Sequence, residues 1–252
     1  MMRPLIFAAN WKMHHGPEAG RRFIERLEEL LPPTEGHELW FFPPAATLSA
    51  VTAALGGRPD ARAGAQNVYW EPKGAFTGEM SVAIAKEAGA RGALVGHSER
   101  RHVFGETDED ARRKVAAVLD GGLVPMLCVG EKLAEREAGR TEEVVLRQLD
   151  AALGGLPAGS LDRVLVAYEP VWAIGTGKNA TPADAAAVHV VIRTRLAVLG
   201  RAADRPVLYG GSVNTKNVAA LLAEPELDGV LVGGASLEPE GWAELISAGR
   251  RG

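Results

Sequence analysis

Short apolar segments and amphipathic segments alternate along the whole chain. Eight apolar runs have the length and composition of buried parallel strands, at 5–9, 38–42, 61–64, 92–95, 123–129, 164–168, 206–209 and 229–232. Eight further segments combine apolar positions at helical spacing with a polar face, at 17–31, 47–55, 79–88, 108–119, 142–153, 182–199, 216–222 and 239–247. The pattern predicts eight strands that alternate with eight helices.

Eight such units in 252 residues predict an α/β protein folded as a single closed (β/α)8 barrel. No linker, low-complexity tract or charge block divides the chain, so we expect one domain over 1–252. An open, doubly wound sheet is the alternative, because it shows the same alternation. In a barrel, the active groups gather at the carboxyl ends of the strands, which is therefore where the chemistry is sought.

Composition and charge exclude several classes of function. Lys and Arg number 28 against 32 Asp and Glu, so the chain lacks the broad basic surface that nucleic acid binding needs. The longest charge-free stretch, 39–57, contains two prolines and ends in two glycines, which argues against a membrane helix. The apolar run at 5–9 is too short for a signal peptide, and a lone Cys128 favours a reducing compartment. We therefore expect a cytoplasmic protein.

Glycine-rich turns follow the last two predicted strands, Gly-Gly-Ser-Val at 210–213 and Gly-Gly-Ala-Ser at 233–236. Because these strands are neighbours in a barrel, both turns can aim backbone amides at one dianion, which predicts a phosphate site. Either turn alone would be an ordinary tight turn. Residues 175–180 fit only the loose GxGxxA pattern, several residues beyond their strand, so a dinucleotide site is not expected.

Three other strand ends carry polar side chains with catalytic potential. Lys12 follows the first strand and would attract a developing oxyanion, although a solvated lysine is the plain alternative. His97 follows the fourth strand at a helix start, where the positive helix end disfavours imidazolium, or else it is a surface histidine. Glu169 follows the sixth strand as a candidate general base, or as a carboxylate paired with a basic group. The segment 170–178 resembles a lid, or an ordinary packed loop.

Cys128 lies within an apolar strand without an evident histidine partner, so we interpret it as a buried structural thiol rather than a nucleophile. No spacing of His, Cys and carboxylates indicates a metal site, and we expect no metal and no cofactor.

Five segments closely resemble the triosephosphate isomerase family, and they occur in order along the chain: NWKM at 10–13, GHSERR at 96–101, YEPVWAIGTGK at 168–178, YGGSV at 209–213 and LVGGASL at 231–237. LCVGE at 127–131 resembles the family's fifth strand. Two departures concern packing rather than chemistry. Ala9 stands where the family commonly has glycine, and Gly241 where it commonly has phenylalanine.

The resemblance implies an isomerase of glycolysis and gluconeogenesis that interconverts dihydroxyacetone phosphate and D-glyceraldehyde 3-phosphate through an enediolate. In this family the base is a glutamate and the electrophile a neutral histidine, roles that fall here on Glu169 and His97. The remaining implied roles are oxyanion stabilisation by Lys12 and Asn10, orientation of Lys12 by Glu99 with Ser98 beside it, and phosphate binding by Gly175, Ser212, Gly233 and Gly234.

The resemblance also implies a homodimer. GAQNV at 64–68 and GAFTGEMS at 74–81 resemble the family's projecting dimer loop, in which Thr77 would complete the partner's active site, while dimer and tetramer both remain open. Two other functions remain open at this stage: another phosphosugar-processing barrel enzyme, and a noncatalytic sugar-phosphate-binding protein. A Schiff-base aldolase would have lysine in place of Glu169, and a metal-dependent epimerase would need strand-end ligands.

Overall fold

The computed structural model of the protein describes residues 5–174, 180–200 and 204–250. Its strands are β1 (Leu5–Asn10), β2 (His37–Phe42), β3 (Ala61–Ala65), β4 (Gly92–Val95), β5 (Val124–Val129), β6 (Leu165–Tyr168), β7 (Val207–Tyr209) and β8 (Gly229–Val232). Every neighbouring pair is parallel, and β8 pairs with β1 to close the ring. The predicted (β/α)8 barrel is confirmed, and the open sheet is wrong because its edge strands would not pair.

The helices of the described part surround this ring. They are α1 (Pro17–Leu30), α2 (Leu48–Leu55), α3 (Val82–Glu87), α4 (Ser98–His102), α5 (Asp108–Asp120), α6 (Leu133–Glu137), α7 (Thr141–Leu153), α8 (Pro182–Gly200), α9 (Val218–Ala223) and α10 (Pro239–Gly249). The helix predicted at 79–88 is shorter, because Ser81 caps α3 by accepting a hydrogen bond from the N–H of Ile84. No helix in the described ranges is long and apolar enough to cross a membrane.

Burial on both faces explains why the strands are continuously apolar. Alternate residues of β1 belong to two clusters: Phe7 and Ala9 pack with the surrounding helices, whereas Ile6 and Ala8 belong to a separate interior cluster. Cys128 is fully buried in this interior cluster, and burial raises the pKa of its thiol well above the ordinary value. Its position agrees with the interpretation of a structural thiol.

The two departures from the family pattern fit their surroundings. Ala9 is fully buried in β1, in register with Phe41 and Val232. At Gly241, in the first turn of α10, an added Cβ would meet nothing within 4 Å. The adjacent Trp242 is fully buried and stands edge-on to Phe7, so the apolar contact comes from the next position along the helix.

Candidate active site

Loops from the carboxyl ends of five strands meet over one cavity of about 240 Å³. Seven of the predicted site residues line it: Asn10, Lys12, His97, Glu169, Ser212, Gly233 and Gly234. Ser98 and Glu99 lie beside the cavity and bond to Glu169 and Lys12 respectively. Gly175 lies outside the described residues, as does the 175–178 part of the predicted lid.

Lys12 enters the cavity from the loop after β1. Its φ of +50° is in the left-handed region, and its N–H donates to Oδ1 of Asn10 at 3.0 Å. Its Nζ lies 2.6 Å from a carboxylate oxygen of Glu99, which orients the ammonium. A Cβ on Gly233 would lie 3.0 Å from Cε of Lys12, so the glycine leaves room for the lysine to cross the loop after β8.

The carboxylate of Glu169 is buried at the end of β6. One of its oxygens accepts the backbone N–H of Ser98 at 2.8 Å, and the other lies 3.0 Å from Nε2 of His97. Burial favours the neutral acid, but the charge and hydrogen bond of His97 and the N–H of Ser98 outweigh it and hold the pKa of Glu169 below its ordinary value. The side chain of Glu169 is therefore an ionised carboxylate in the free protein.

His97 caps the start of α4, and this position fixes its proton. Its Nδ1 accepts the N–H of Glu99 at 3.3 Å, so the proton of a neutral ring is carried by Nε2. Nε2 also lies 3.1 Å from Nδ2 of Asn10. Burial lowers the pKa of His97, but the Glu169 carboxylate outweighs burial and raises it above the ordinary value. The expected neutral imidazole therefore requires that Glu169 move away.

The two glycine-rich turns also line the cavity. The loop after β8 forms a 3₁₀ turn over Gly234–Ser236, and Ser236 Oγ donates to the carbonyl of Gly233 at 2.7 Å. An added Cβ at Gly234 would meet nothing within 4 Å, so the backbone there is open to a ligand. Across 5–174, 180–200 and 204–250, no group of three or more His, Cys, Asp or Glu could hold a metal ion.

Comparison with known proteins decides the family. A family model described as triosephosphate isomerase matches residues 5–249. The chain belongs to the triosephosphate isomerase family. It is 47% identical over 249 residues to the triosephosphate isomerase of Herpetosiphon aurantiacus, covering 98% of this chain and 99% of the relative. It is 46% identical to that of Moorella thermoacetica, with the same coverage, and 44% identical to that of Haemophilus influenzae, covering 98% of this chain and 97% of the relative.

Two supporting residues of this family member escaped sequence reasoning. The buried Glu106 accepts the N–H of Gly96, directly before His97, at 2.8 Å, and also accepts from Lys114 at 2.6 Å. Gln66, assigned by motif only to the dimer loop, donates to the carbonyl of Lys12 at 2.8 Å. In the sequence, only their proximity to the motifs could have indicated Glu106 and Gln66, since isolated Glu and Gln residues are normally exposed.

The described first part of the predicted lid is hydrogen-bonded to the loop after β5. Val171–Ala173 forms a 3₁₀ turn after Pro170, and the N–H of Val171 donates to the carbonyl of Glu131 at 3.1 Å. The carboxylate of Glu131, fully buried, accepts from Nε1 of Trp172 at 2.9 Å. This arrangement defines where a lid would begin, while its remainder lies outside the described residues.

We expect Gly130→Ala to destabilise the protein and to displace the backbone of Glu169. A Cβ at this position would lie 1.8 Å from the carbonyl oxygen of Glu169, and a backbone atom cannot yield cheaply. The strain should lower the free energy of unfolding by about 1–3 kcal/mol, measured by urea denaturation. Gly241→Ala is the matched control. The added Cβ would meet nothing within 4 Å, and alanine is the better helix former, so this substitution should raise the free energy of unfolding by about 0.5–1 kcal/mol. Equal stabilities of the two variants would contradict this account.

Proposed function

We propose that the protein interconverts dihydroxyacetone phosphate and D-glyceraldehyde 3-phosphate by proton transfer through an enediolate. The observation that carries the proposal is one cavity lined by a buried carboxylate, an imidazole, an ammonium and two glycine-rich turns. We further propose that residues 1–252 act as one catalytic domain. We place this domain in the cytoplasm, because a single free cysteine, Cys128, suits a reducing compartment.

Glu169 is the proposed base, removing a proton from one carbon and returning it to the next. A carboxylate whose pKa lies below its ordinary value is a weak base for a carbon acid, so stabilisation of oxygen charge must supply much of the rate. To reach the substrate, the carboxylate has to leave Ser98 and His97. Its departure removes the larger of the two carboxylate charges that raise the pKa of His97, so burial and the Lys12 ammonium then favour a neutral imidazole with Nε2–H directed at the cavity.

The negative oxygens of the enediolate are the proposed targets of three donors. Nε2 of His97 and Nδ2 of Asn10 lie only 3.1 Å apart, so both can donate to neighbouring oxygens of one substrate. The ammonium of Lys12, oriented by Glu99, adds a full positive charge. The three groups differ in kind, but each is placed before the substrate arrives, so little reorganisation is needed in the transition state.

The glycine-rich turns are the proposed phosphate site. Ser212, Gly233 and Gly234 would bind the dianion, together with Gly175, which lies outside the described residues. Binding energy at this unreactive group would help to order the catalytic residues. Closure of 170–178 would exclude water and retain the enediolate, which in open solution can eliminate phosphate. We propose no cofactor for this reaction.

A coupled assay tests the proposed activity. Purified protein is mixed with D-glyceraldehyde 3-phosphate, and the dihydroxyacetone phosphate formed is reduced by an NADH-dependent dehydrogenase. Steady NADH consumption that depends on the protein is expected. Phosphate binding without turnover would favour the noncatalytic alternative, and turnover only of longer sugar phosphates would favour another phosphosugar enzyme.

We also propose a homodimer that forms through the loop at 64–81. Tyr69 stacks on Trp70 at 4.1 Å and contacts Phe76 at 4.6 Å, so three rings stiffen the loop, while Phe76 remains 39% exposed. Met13, next to the catalytic lysine, is 94% exposed and offers an apolar contact near the cavity. In the proposed dimer, Thr77 would reach the partner's active site.

Phe76→Glu is expected to shift the protein towards monomers, because a buried unpaired carboxylate is costly in an apolar contact. Sedimentation velocity measures the species, and the same experiment on the wild type distinguishes dimer from tetramer. Val198→Glu serves as the control, since Val198 is 70% exposed on α8. A monomeric wild type would overturn the proposed assembly.

A further inference from the structure

His15 joins the loop after β1 to the loop after β8. Its Nε2 lies 2.9 Å from the carbonyl oxygen of Leu237, and since a carbonyl only accepts, Nε2 carries the proton of this bond. The backbone of His15 has φ +63°, in the left-handed region. Among the described residues, Lys12 is the only other one with a side chain in that region, so both residues in this loop adopt an unfavourable backbone conformation.

The imidazole of His15 is held on three sides. It stands edge-on to the fully buried Trp11, with ring centroids 4.9 Å apart, and lies 5.8 Å from the ring of Phe23. The carbonyl oxygen of His15 accepts from Oγ1 of Thr47 at 2.7 Å, and Thr47 is also fully buried. Buried side chains therefore hold His15 in the position from which it bonds to Leu237.

Leu237 ends the turn that begins with the glycines of the cavity. The N–H of Leu237 donates to the carbonyl of Gly234 at 3.3 Å, which closes the 3₁₀ turn Gly234–Ser236. At the start of the same turn, the side chain of Lys12 lies directly against Gly233. The loop after β1 therefore contacts this turn at both ends, with Lys12 at the beginning and His15 at the finish.

We propose that His15 is a positioning residue that holds the Gly233–Gly234 turn at a fixed distance from the Lys12 ammonium. His15 does not line the cavity, so it acts through Leu237 and the turn. The proposal rests on the proposed function, in which the turn binds the phosphate group and the adjacent Lys12 ammonium stabilises the oxygens of the enediolate. If the hydrogen bond to Leu237 is lost, the turn is free to shift and the dianion binds less tightly.

His15→Asn and His15→Gln form a matched pair for testing this proposal. Asparagine tolerates the left-handed backbone but is too short to reach the Leu237 carbonyl, so His15→Asn removes the bond without added backbone strain. The amide of glutamine extends about as far as Nε2 of the imidazole, so His15→Gln keeps a donor in place. Inorganic phosphate is titrated calorimetrically into each variant and the wild type, and KM and kcat are measured with D-glyceraldehyde 3-phosphate.

We expect His15→Asn to weaken phosphate binding and to raise KM by about threefold to tenfold, as the loss of one net hydrogen bond implies. kcat should change less than KM, the melting temperature should stay close to that of the wild type, and His15→Gln should restore phosphate binding and KM. Wild-type binding in His15→Asn, or equal losses in both variants, would overturn the proposal. Because phosphate titration needs no turnover, it distinguishes this failure from failure of the isomerase function.

Discussion

Lys12→Met is expected to lower kcat with D-glyceraldehyde 3-phosphate by at least about 10³-fold in the coupled assay, while the protein remains folded. Methionine keeps an unbranched apolar chain that can lie against Gly233, but it removes the one lysine or arginine among the described residues that line the cavity, the group proposed to stabilise the enediolate. Folding should be little affected, because the partner Glu99 is 43% exposed in its side chain and would be rehydrated rather than left buried.

Lys86→Met is the control for this substitution. Lys86 lies in α3 and donates to the carbonyl of Gly121 at 2.8 Å, remote from the cavity lining, so its loss should leave turnover unchanged. Circular dichroism and melting temperature report the fold of each variant. Unfolding of Lys12→Met would support a structural role for this lysine, and substantial remaining turnover would remove it from the chemistry.

Glu169→Asp is expected to reduce kcat about 10²-fold with a smaller change in KM. The shorter side chain withdraws the carboxylate by about 1 Å, and misplacement on that scale is enough to spoil proton transfer. The backbone around it should hold, because the N–H of Glu169 donates to the carbonyl of Val129 at 2.7 Å irrespective of the side chain. Steady-state kinetics with both triose phosphates would measure the loss in each direction.

Glu169→Gln complements this experiment by removing the base while keeping the length. Its amide oxygen can still accept the N–H of Ser98, so stability should stay close to the wild type, whereas turnover should fall further than in Glu169→Asp. Near-wild-type turnover in either variant would exclude Glu169 as the base. If activity were lost only because the variant failed to fold, the role of Glu169 would be structural rather than catalytic.

Much of the fold followed from the apolar pattern, because strands buried on both faces have to be apolar throughout. All eight strands were predicted, with ends that differ by at most one residue: β5 begins at Val124 rather than at 123, for example. Short helices were harder. α6 (Leu133–Glu137) completes little more than one turn and has no buried residues, so no apolar period marks it in the sequence.

Only those residues of the candidate site that directly follow the end of a strand could be predicted from the sequence. Glu169 and Lys12 stand at such ends, and barrel geometry brings them to one cavity. The contact between Glu169 and His97 was not predicted, because a hydrogen bond between residues on different strands depends on side-chain conformation that no local pattern records. Glu106 was missed for the same reason: it supports Gly96 from a polar stretch that looks fully solvated.

The pairing of β8 with β1 brings together segments that are far apart in the sequence. Lys12, from the loop after β1, lies against Gly233, from the loop after β8. A nascent chain therefore has no complete cavity until all eight strands have been synthesised, however early the first strands collapse. Chains truncated before β8 would lack turnover altogether rather than showing a reduced version of it.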